Sequence, residues 1–196
     1  MIWTFPAGSD YADHGQAVDA ARQNSTPDQR SPPPEEAMEP IDIPGHGPLP
    51  LRHLVLDYNG TLALDGNLVP GVTERLTALA AAPSALRVHV ITADTFGQVR
   101  QQLAGLPCVC QVIGPGQQDQ AKLEYVRALD APTVAAVGNG RNDRLMLAAA
   151  GLGIAVIGGE GAAREALDAA RVVCLSILDA LDLLRHPLRL VATLRT

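Results

Sequence analysis

The strongest constraint in this sequence is a rhythm. Six short segments, 53–57, 86–91, 109–112, 133–137, 152–156 and 171–175, are apolar for nearly their whole length, with no regular polar alternation. Between and after them lie stretches with helical apolar spacing, roughly 71–82, 95–104, 119–129, 142–150, 160–169 and 176–185. A strand that is apolar on both faces must be covered on both faces, and intervening helices are how parallel strands are joined. The expected fold class is therefore α/β: a doubly wound, Rossmann-like, mostly parallel sheet with helices on both faces. A last turn or helix, 187–194, follows Pro187, a residue suited to a helix start. Ahead of the first core strand, "IDI", "PGHGP" and "LPLRHLVLDY" suggest a hairpin arm.

A chain of 196 residues allows one domain with a short extension. Residues 1–37 contain "ARQNSTPDQRSPPPEEA", which is polar, Pro-rich and without apolar period, so this segment is expected to be disordered. The domain is taken as 38–196. A translation start at Met38 is one reading of that boundary. A partner-binding tail is the other, and no motif speaks for it. Lys plus Arg is 15 and Asp plus Glu is 21, a formal net charge of −6, which argues against a nucleic-acid or anionic-membrane surface. The three cysteines, Cys108, Cys110 and Cys174, give neither a disulfide framework nor a CxxC zinc spacing. "MIWTFPAGSD" lacks the basic start and apolar run of a secretory signal, and 145–159 is too short and Gly-interrupted to span a bilayer. A cytoplasmic protein is expected.

Ligands of doubly wound sheets bind beyond the carboxyl ends of the strands. In "LVLDYNGTLALDG" the first core strand ends at Asp57, and an Asn59-Gly60 turn and Thr61 follow. "VHVITAD" ends at Thr92 and Ala93. The third strand leads through "GPGQQD" to Lys122 at a helix start, and "TVAAVGNGRND" ends at Asn139 with Asp143 four residues on. A carboxylate, a hydroxyl, an ammonium and a second carboxylate suit phosphoryl transfer, which needs a nucleophile, a neutralising cation and donors aimed at developing charge.

Each of these residues also has a plain structural reading. Asn59-Gly60 and Asn139-Gly140 are common turn pairs, and Lys122 alone could be a solvated helix residue. It is the set, in order and at strand ends, that favours a site. "IGGEGAAREAL" hints at a dinucleotide loop, but it lacks the third glycine and follows the fifth strand, so it reads as a structural turn and helix start. The histidines, His14, His46, His53, His89 and His186, show no pair with ligand spacing. "LDALDLLRHPLRLVATL" has the apolar spacing of a core or oligomer-contact helix.

With those residues in view, the sequence resembles the haloacid dehalogenase-like (HAD) superfamily of phosphohydrolases over about 41–185. "DYNGT" is similar to that family's Asp-x-Asp-x-Thr except at Asn59. Thr92 matches its strand-end Ser or Thr, and Lys122 matches its lysine. "GNGRND" matches its Gly-Asp-Gly-x-x-Asp except at Asn139, and "GNGRNDRLML" looks most like the P-type ATPase-like group. The resemblance implies a nucleophile at Asp57 forming an aspartyl-phosphate. It implies phosphate binding by Asn59, Gly60, Thr61, Thr92, Ala93 and Lys122, and a Mg²⁺ ion held by Asp57, the Asn59 carbonyl, Asn139 and Asp143. Partners would be a phosphorylated small molecule or macromolecule, with homo-oligomerisation open and no nucleic acid or membrane. About thirty residues separate Thr61 from Thr92 and Thr92 from Lys122, so the resemblance implies a capless member with a flap in "LALDGNLVPGV".

Two family aspartates are amides here. Residue 59 relays a proton in the family, and losing general acid–base help costs 10²–10⁴-fold, or about 3–5 kcal/mol of barrier. The expectation is a phosphohydrolase or phosphotransferase that is slow on ordinary monoesters. The alternative is a catalytically weak regulatory protein that keeps the phosphate pocket. Asn139 should weaken the metal site without abolishing it, since Mg²⁺ commonly takes one or two carboxylates plus waters and phosphate oxygens.

Overall fold

A computed structural model describes residues 39–81, 86–93 and 98–196. The Pro-rich segment expected to be disordered lies outside them. The described chain begins with an antiparallel arm, β1 (Ile41–Ile43) against β2 (Gly47–Leu49), as "IDI…GPL" suggests. Then β3 (His53–Asp57) enters the centre of a six-stranded sheet. Its partners are β6 (Arg87–Thr92), β7 (Cys108–Val112), β8 (Val134–Gly138), β9 (Leu152–Val156) and β10 (Val172–Cys174). The order is β10-β9-β8-β3-β6-β7, and every pairing in it is parallel.

The two faces of β3 explain its unbroken apolar character. Leu54 and Leu56 join a core with Val88, Val90, Val137 and Ile154 that α1 (Val72–Ala81) and α6 (Ile177–Arg185) close through Leu76 and Leu181. Val55 faces the other way, into a core with Ile91 and Ala136. Val126 of α3 (Gln118–Ala128) and Met146 of α4 (Arg144–Ala149) cover that side. Ala166 of α5 (Arg164–Ala169) completes it. Burying both faces of the central strands is the dominant favourable term in such a fold.

Chain order places the site. From β3 the strands build outward through β6 and β7, then return to the other flank through β8, β9 and β10. The carboxyl ends of β3, β6 and β8 therefore open together at the reversal of strand order, where ligands of such sheets bind. Only a small hairpin, β4 (Ala63–Leu64) and β5 (Asn67–Leu68), and α1 separate β3 from β6 among the described residues. Between β6 and β7 the described residues hold one short helix, α2 (Gln98–Gln102). Among the described residues no cap domain is inserted at either place. The hairpin turns on Asp65 (φ 50°) and Gly66 (φ 78°), the left-handed pair of a tight two-residue turn.

Several boundaries moved for physical reasons. The expected 142–150 helix starts as a 3₁₀ turn over Arg141–Asp143, because the Asp143 carboxylate takes the Asn139 and Gly140 amides and tightens the entry. The 160–169 helix starts only at Arg164, since Gly161 (φ 76°) sits in a loop tied elsewhere. α6 is capped by Ser176, whose Oγ accepts from the Asp179 amide at 3.1 Å. Pro187 opens α7 (Pro187–Leu194) as expected. Among the described residues no helix is long and apolar enough to cross a membrane.

Candidate active site

Asp57 is the last residue of β3 and is only 7% exposed. Lys122 reaches the same point from α3. It does not sit at the helix start, as its sequence context suggests, but one turn further in, on the helix face that packs on the sheet. Asp143 arrives from the turn after β8. The Lys122 ammonium donates to Asp57 Oδ1 and to Asp143 Oδ1, each at 2.6 Å, with Lys122 1% and Asp143 0% exposed. Links outside the site hold the two elements together: Asn142 donates to Gln118 at 3.0 Å, and Arg144 pairs with Asp119 at 2.6 Å.

The remaining carboxylate oxygens are also committed. Asp143 Oδ2 accepts from the backbone amides of Asn139 (3.0 Å) and Gly140 (2.8 Å). Asp57 Oδ2 faces the Thr61 hydroxyl at 3.2 Å, and that hydroxyl also lies 3.2 Å from Asn139 Oδ1. Thr92 is buried at the end of β6, one position beyond the Asp57–Ile91 register pair, and Ala93 follows it half-buried. The structure thus brings together Asp57, Thr61, Lys122, Asn139 and Asp143, with Thr92 and Ala93 at the adjoining strand end. Asn59 is different. Its side chain is exposed, and the residue makes an isolated backbone bridge with Ala63.

Burial raises the Asp57 carboxyl to about 7; the Asp143 charge adds to the rise, and Lys122 and Thr61 oppose it. Burial alone would lower the Lys122 ammonium, but the two carboxylates more than reverse this and raise it. The lysine therefore stays charged, and Asp57 is the group whose ionisation is held in balance.

Two glycines make room for this arrangement. A Cβ on Gly138 would lie 2.5 Å from Asp143 Cγ, so a side chain there would displace the carboxylate. Gly60 combines φ +75° with crowding: a Cβ would lie 2.5 Å from Asn139 Nδ2 and 2.8 Å from Glu160 Oε2. Glu160 belongs to "IGGEG", read from the sequence as a turn only. Its approach to Gly60 has no short-range sequence signal.

The donor set suits a hard divalent cation. Asp57, Asp143, the Asn59 carbonyl and Asn139 Oδ1 offer only oxygen, which is magnesium chemistry rather than zinc or copper chemistry. Among the described residues, however, no group of three or more His, Cys, Asp or Glu side chains is placed to hold a metal by itself. The histidines are less scattered than they read. His53 Nδ1 and His89 Nε2 lie 3.1 Å apart, and His89 Nδ1 lies 2.9 Å from the Tyr125 hydroxyl. Adjacent strands and a helix bring together residues that have no ligand spacing in sequence.

An uncharacterized protein of Methanocaldococcus jannaschii is 43% identical over 84 residues, which are 41% of this chain and 90% of that protein. The chain belongs to that protein's family. No family model matches the chain. Among solved structures, one described as a subfamily III A hydrolase of the HAD superfamily, from Legionella pneumophila, aligns with TM-score 0.59 and 18% identity, covering 73% of this chain and 86% of that one. The cobalt-bound deoxy-D-mannose-octulosonate 8-phosphate phosphatase of Haemophilus influenzae aligns with TM-score 0.58 and 15% identity, covering 74% and 94%. The corresponding phosphatase of Moraxella catarrhalis, in complex with magnesium and phosphate, aligns with TM-score 0.54 and 16% identity, covering 74% and 94%. The fold is the HAD fold.

Proposed function

We propose that the chain is a Mg²⁺-dependent phosphohydrolase or phosphotransferase that works through an aspartyl-phosphate on Asp57, and that it is slow on ordinary phosphomonoesters. The observation that carries this reading is the buried bridge of Lys122 to both Asp57 and Asp143 at 2.6 Å, at the strand-end reversal of a HAD fold. A nucleophilic carboxylate needs a fixed direction, and the ammonium supplies it. As a phosphoryl group transfers, Lys122 neutralises charge on its oxygens and Thr92 would donate to them, while the Gly60 and Thr61 amides are engaged with the Ala63 and Tyr58 carbonyls. Thr61 steadies the second Asp57 oxygen. When bound, Mg²⁺ would supply electrostatic stabilisation of the phosphoryl oxygens, held by Asp57, Asp143, the Asn59 carbonyl and Asn139.

The exposed Asn59 amide donates hydrogen bonds but relays no proton. Good substrates are therefore those with acidic leaving groups, such as acyl phosphates and phosphoanhydrides. The octulosonate phosphatases among the structural neighbours support a phosphorylated small molecule as substrate, and the lack of a cap among the described residues leaves space for a larger one. "GNGRNDRLML" supports placement nearest the P-type ATPase-like group, with a phosphoenzyme that hydrolyses slowly. The proposed setting is cytoplasmic, and 38–196 is the proposed single domain.

The test is turnover of acetyl phosphate and p-nitrophenyl phosphate with and without Mg²⁺, with Asp57→Asn as the blank. Turnover should require Mg²⁺ and vanish in Asp57→Asn; an unchanged rate in that variant removes the nucleophile assignment. A second reading, a phosphate-binding regulatory protein without turnover, is favoured by one observation: the Asn139 amide is engaged with Thr61 and Gly161 rather than free for a metal. It predicts thermal stabilisation by phosphate plus Mg²⁺ with no product from any member of a broad phosphate panel.

A further inference from the structure

An aspartyl-phosphate is of use to a hydrolase only if water then discharges it, and the residue that activates that water in related enzymes is Asn59 here. Asp57 cannot do so while it carries the phosphoryl group. Asp143 is held on one oxygen by Lys122 and on the other by two amides. A further carboxylate does reach the phosphate loop. Glu160 lies on the loop after β9 with its Oε2 2.8 Å from where a Cβ on Gly60 would stand. It is solvent-exposed, so water can reach it. The loop that carries it is tied on both sides of Glu160. Asn139 Nδ2 donates to Gly161 O at 3.0 Å, and the Ala163 amide donates to Asn139 O at 2.8 Å. The Ile157 and Gly158 amides tie the start of the loop to Cys174 and Leu175 at 3.0 and 3.1 Å.

The Asn139 contact also explains why an amide stands where the family carries a carboxylate. An aspartate at 139 would set a carboxylate oxygen against the Gly161 carbonyl, two acceptors with no proton between them. An asparagine donates there and keeps Oδ1 toward Thr61.

We propose that Glu160 is the general base for hydrolysis of phospho-Asp57, in place of the residue lost at 59, and that Asn139 is the positioning residue that holds its loop over Gly60. The proposal rests on the aspartyl-phosphate reading above. In the step, a water oxygen attacks phosphorus and its proton passes to the Glu160 carboxylate. The bond from phosphorus to the Asp57 oxygen breaks, its electron pair returns to Asp57, and Glu160 later yields the proton to solvent. Capture of the phosphoryl group needs no base and is untouched.

The experiment loads the full-length protein with labelled phosphate from acetyl phosphate and Mg²⁺, then follows its loss in a chase. Glu160→Gln should form the phosphoenzyme at the wild-type rate and discharge it about 10²-fold more slowly. Asn59→Asp in the Glu160→Gln background should restore discharge, and hydroxylamine, a nucleophile that needs no base, should discharge both proteins equally. Asn139→Asp should slow water discharge similarly, with Glu160→Gln adding little on top, because the two act through one loop. An unchanged discharge rate in Glu160→Gln overturns the assignment, as does a defect that excess Mg²⁺ erases, which would make Glu160 a metal ligand. A wild-type protein that never labels removes the aspartyl-phosphate reading itself, and this proposal with it.

Discussion

At the scale of single residues, residue 59 tests the chemistry most directly. Its backbone carbonyl does not depend on the side chain, so a change there alters proton transfer with little effect on the fold. The exposed side chain leaves room for a carboxylate. Asn59→Asp should raise hydrolysis of an alkyl phosphate by about 10²-fold, and that of an acyl phosphate much less, because only the alkoxide needs a proton to leave. Steady-state rates on the two substrates check this. Lys122 tests the electrostatics. Without it, two buried carboxylates face each other uncompensated, and breaking a buried ion pair costs about 3–5 kcal/mol. Lys122→Met should therefore lower stability strongly at pH 7.5 and less at pH 5, where a proton replaces the missing charge. Urea unfolding at the two pH values measures the difference.

At the scale of elements, the described core strands and helices fall near where periodicity puts them, apart from the entries to α4 and α5, because each core strand is buried on both faces and each helix on one. What periodicity does not carry is polar contact across elements. Nothing local in "GNGRND" shows that the Asp143 carboxylate turns back onto two amides and converts a helix start into a 3₁₀ turn. Nothing in "IGGEG" shows that its glutamate touches Gly60, since the loop's position depends on Asn139, a residue on another strand. The His53–His89–Tyr125 chain is a third such contact, and it docks α3 on the sheet beside Lys122. Burial lowers the His89 imidazole to about 4 from the ordinary 6.5, and the neighbouring His53 and Arg87 add to this. Between those values the folded protein binds fewer protons at His89 than the unfolded chain, so this stability is complete above pH 6.5 and lost as pH falls toward 4. Asp57, raised to about 7, acts in the opposite sense over an overlapping window. The measurement is therefore the difference between wild type and His89→Gln. Wild type should lose roughly 1–2 kcal/mol relative to the variant between pH 6.5 and 4, a solvent-screened fraction of the full shift.

At the scale of the whole molecule, the clustering of the candidate residues was legible as an ordered set because strand order converts sequence order into proximity. Asp57, Thr92, Lys122 and Asp143 are far apart in the chain, yet each follows a strand that ends at the same edge of one parallel sheet. If the proposed ligands bind at that edge, charge should couple their binding to global stability. The buried set of Asp57, Asp143 and Lys122 carries one net negative charge when both carboxylates are ionised, and Lys122 already occupies one oxygen of each. A divalent cation alone must compete with that ammonium and leaves the site positive. A phosphate dianion alone meets two carboxylates. Together they return the site to its original single negative charge, so each should raise the affinity of the other. Millimolar Mg²⁺ by itself should shift the thermal midpoint little, and beryllofluoride by itself should do the same. Both together should raise it by several degrees, since ligand at 100 times its dissociation constant adds about 2.7 kcal/mol. In Asp57→Asn the cooperative shift should disappear, because the adduct needs the carboxylate. A midpoint that rises fully with Mg²⁺ alone would place the cation in a preformed site independent of phosphate, and this account of the charge balance would then be wrong.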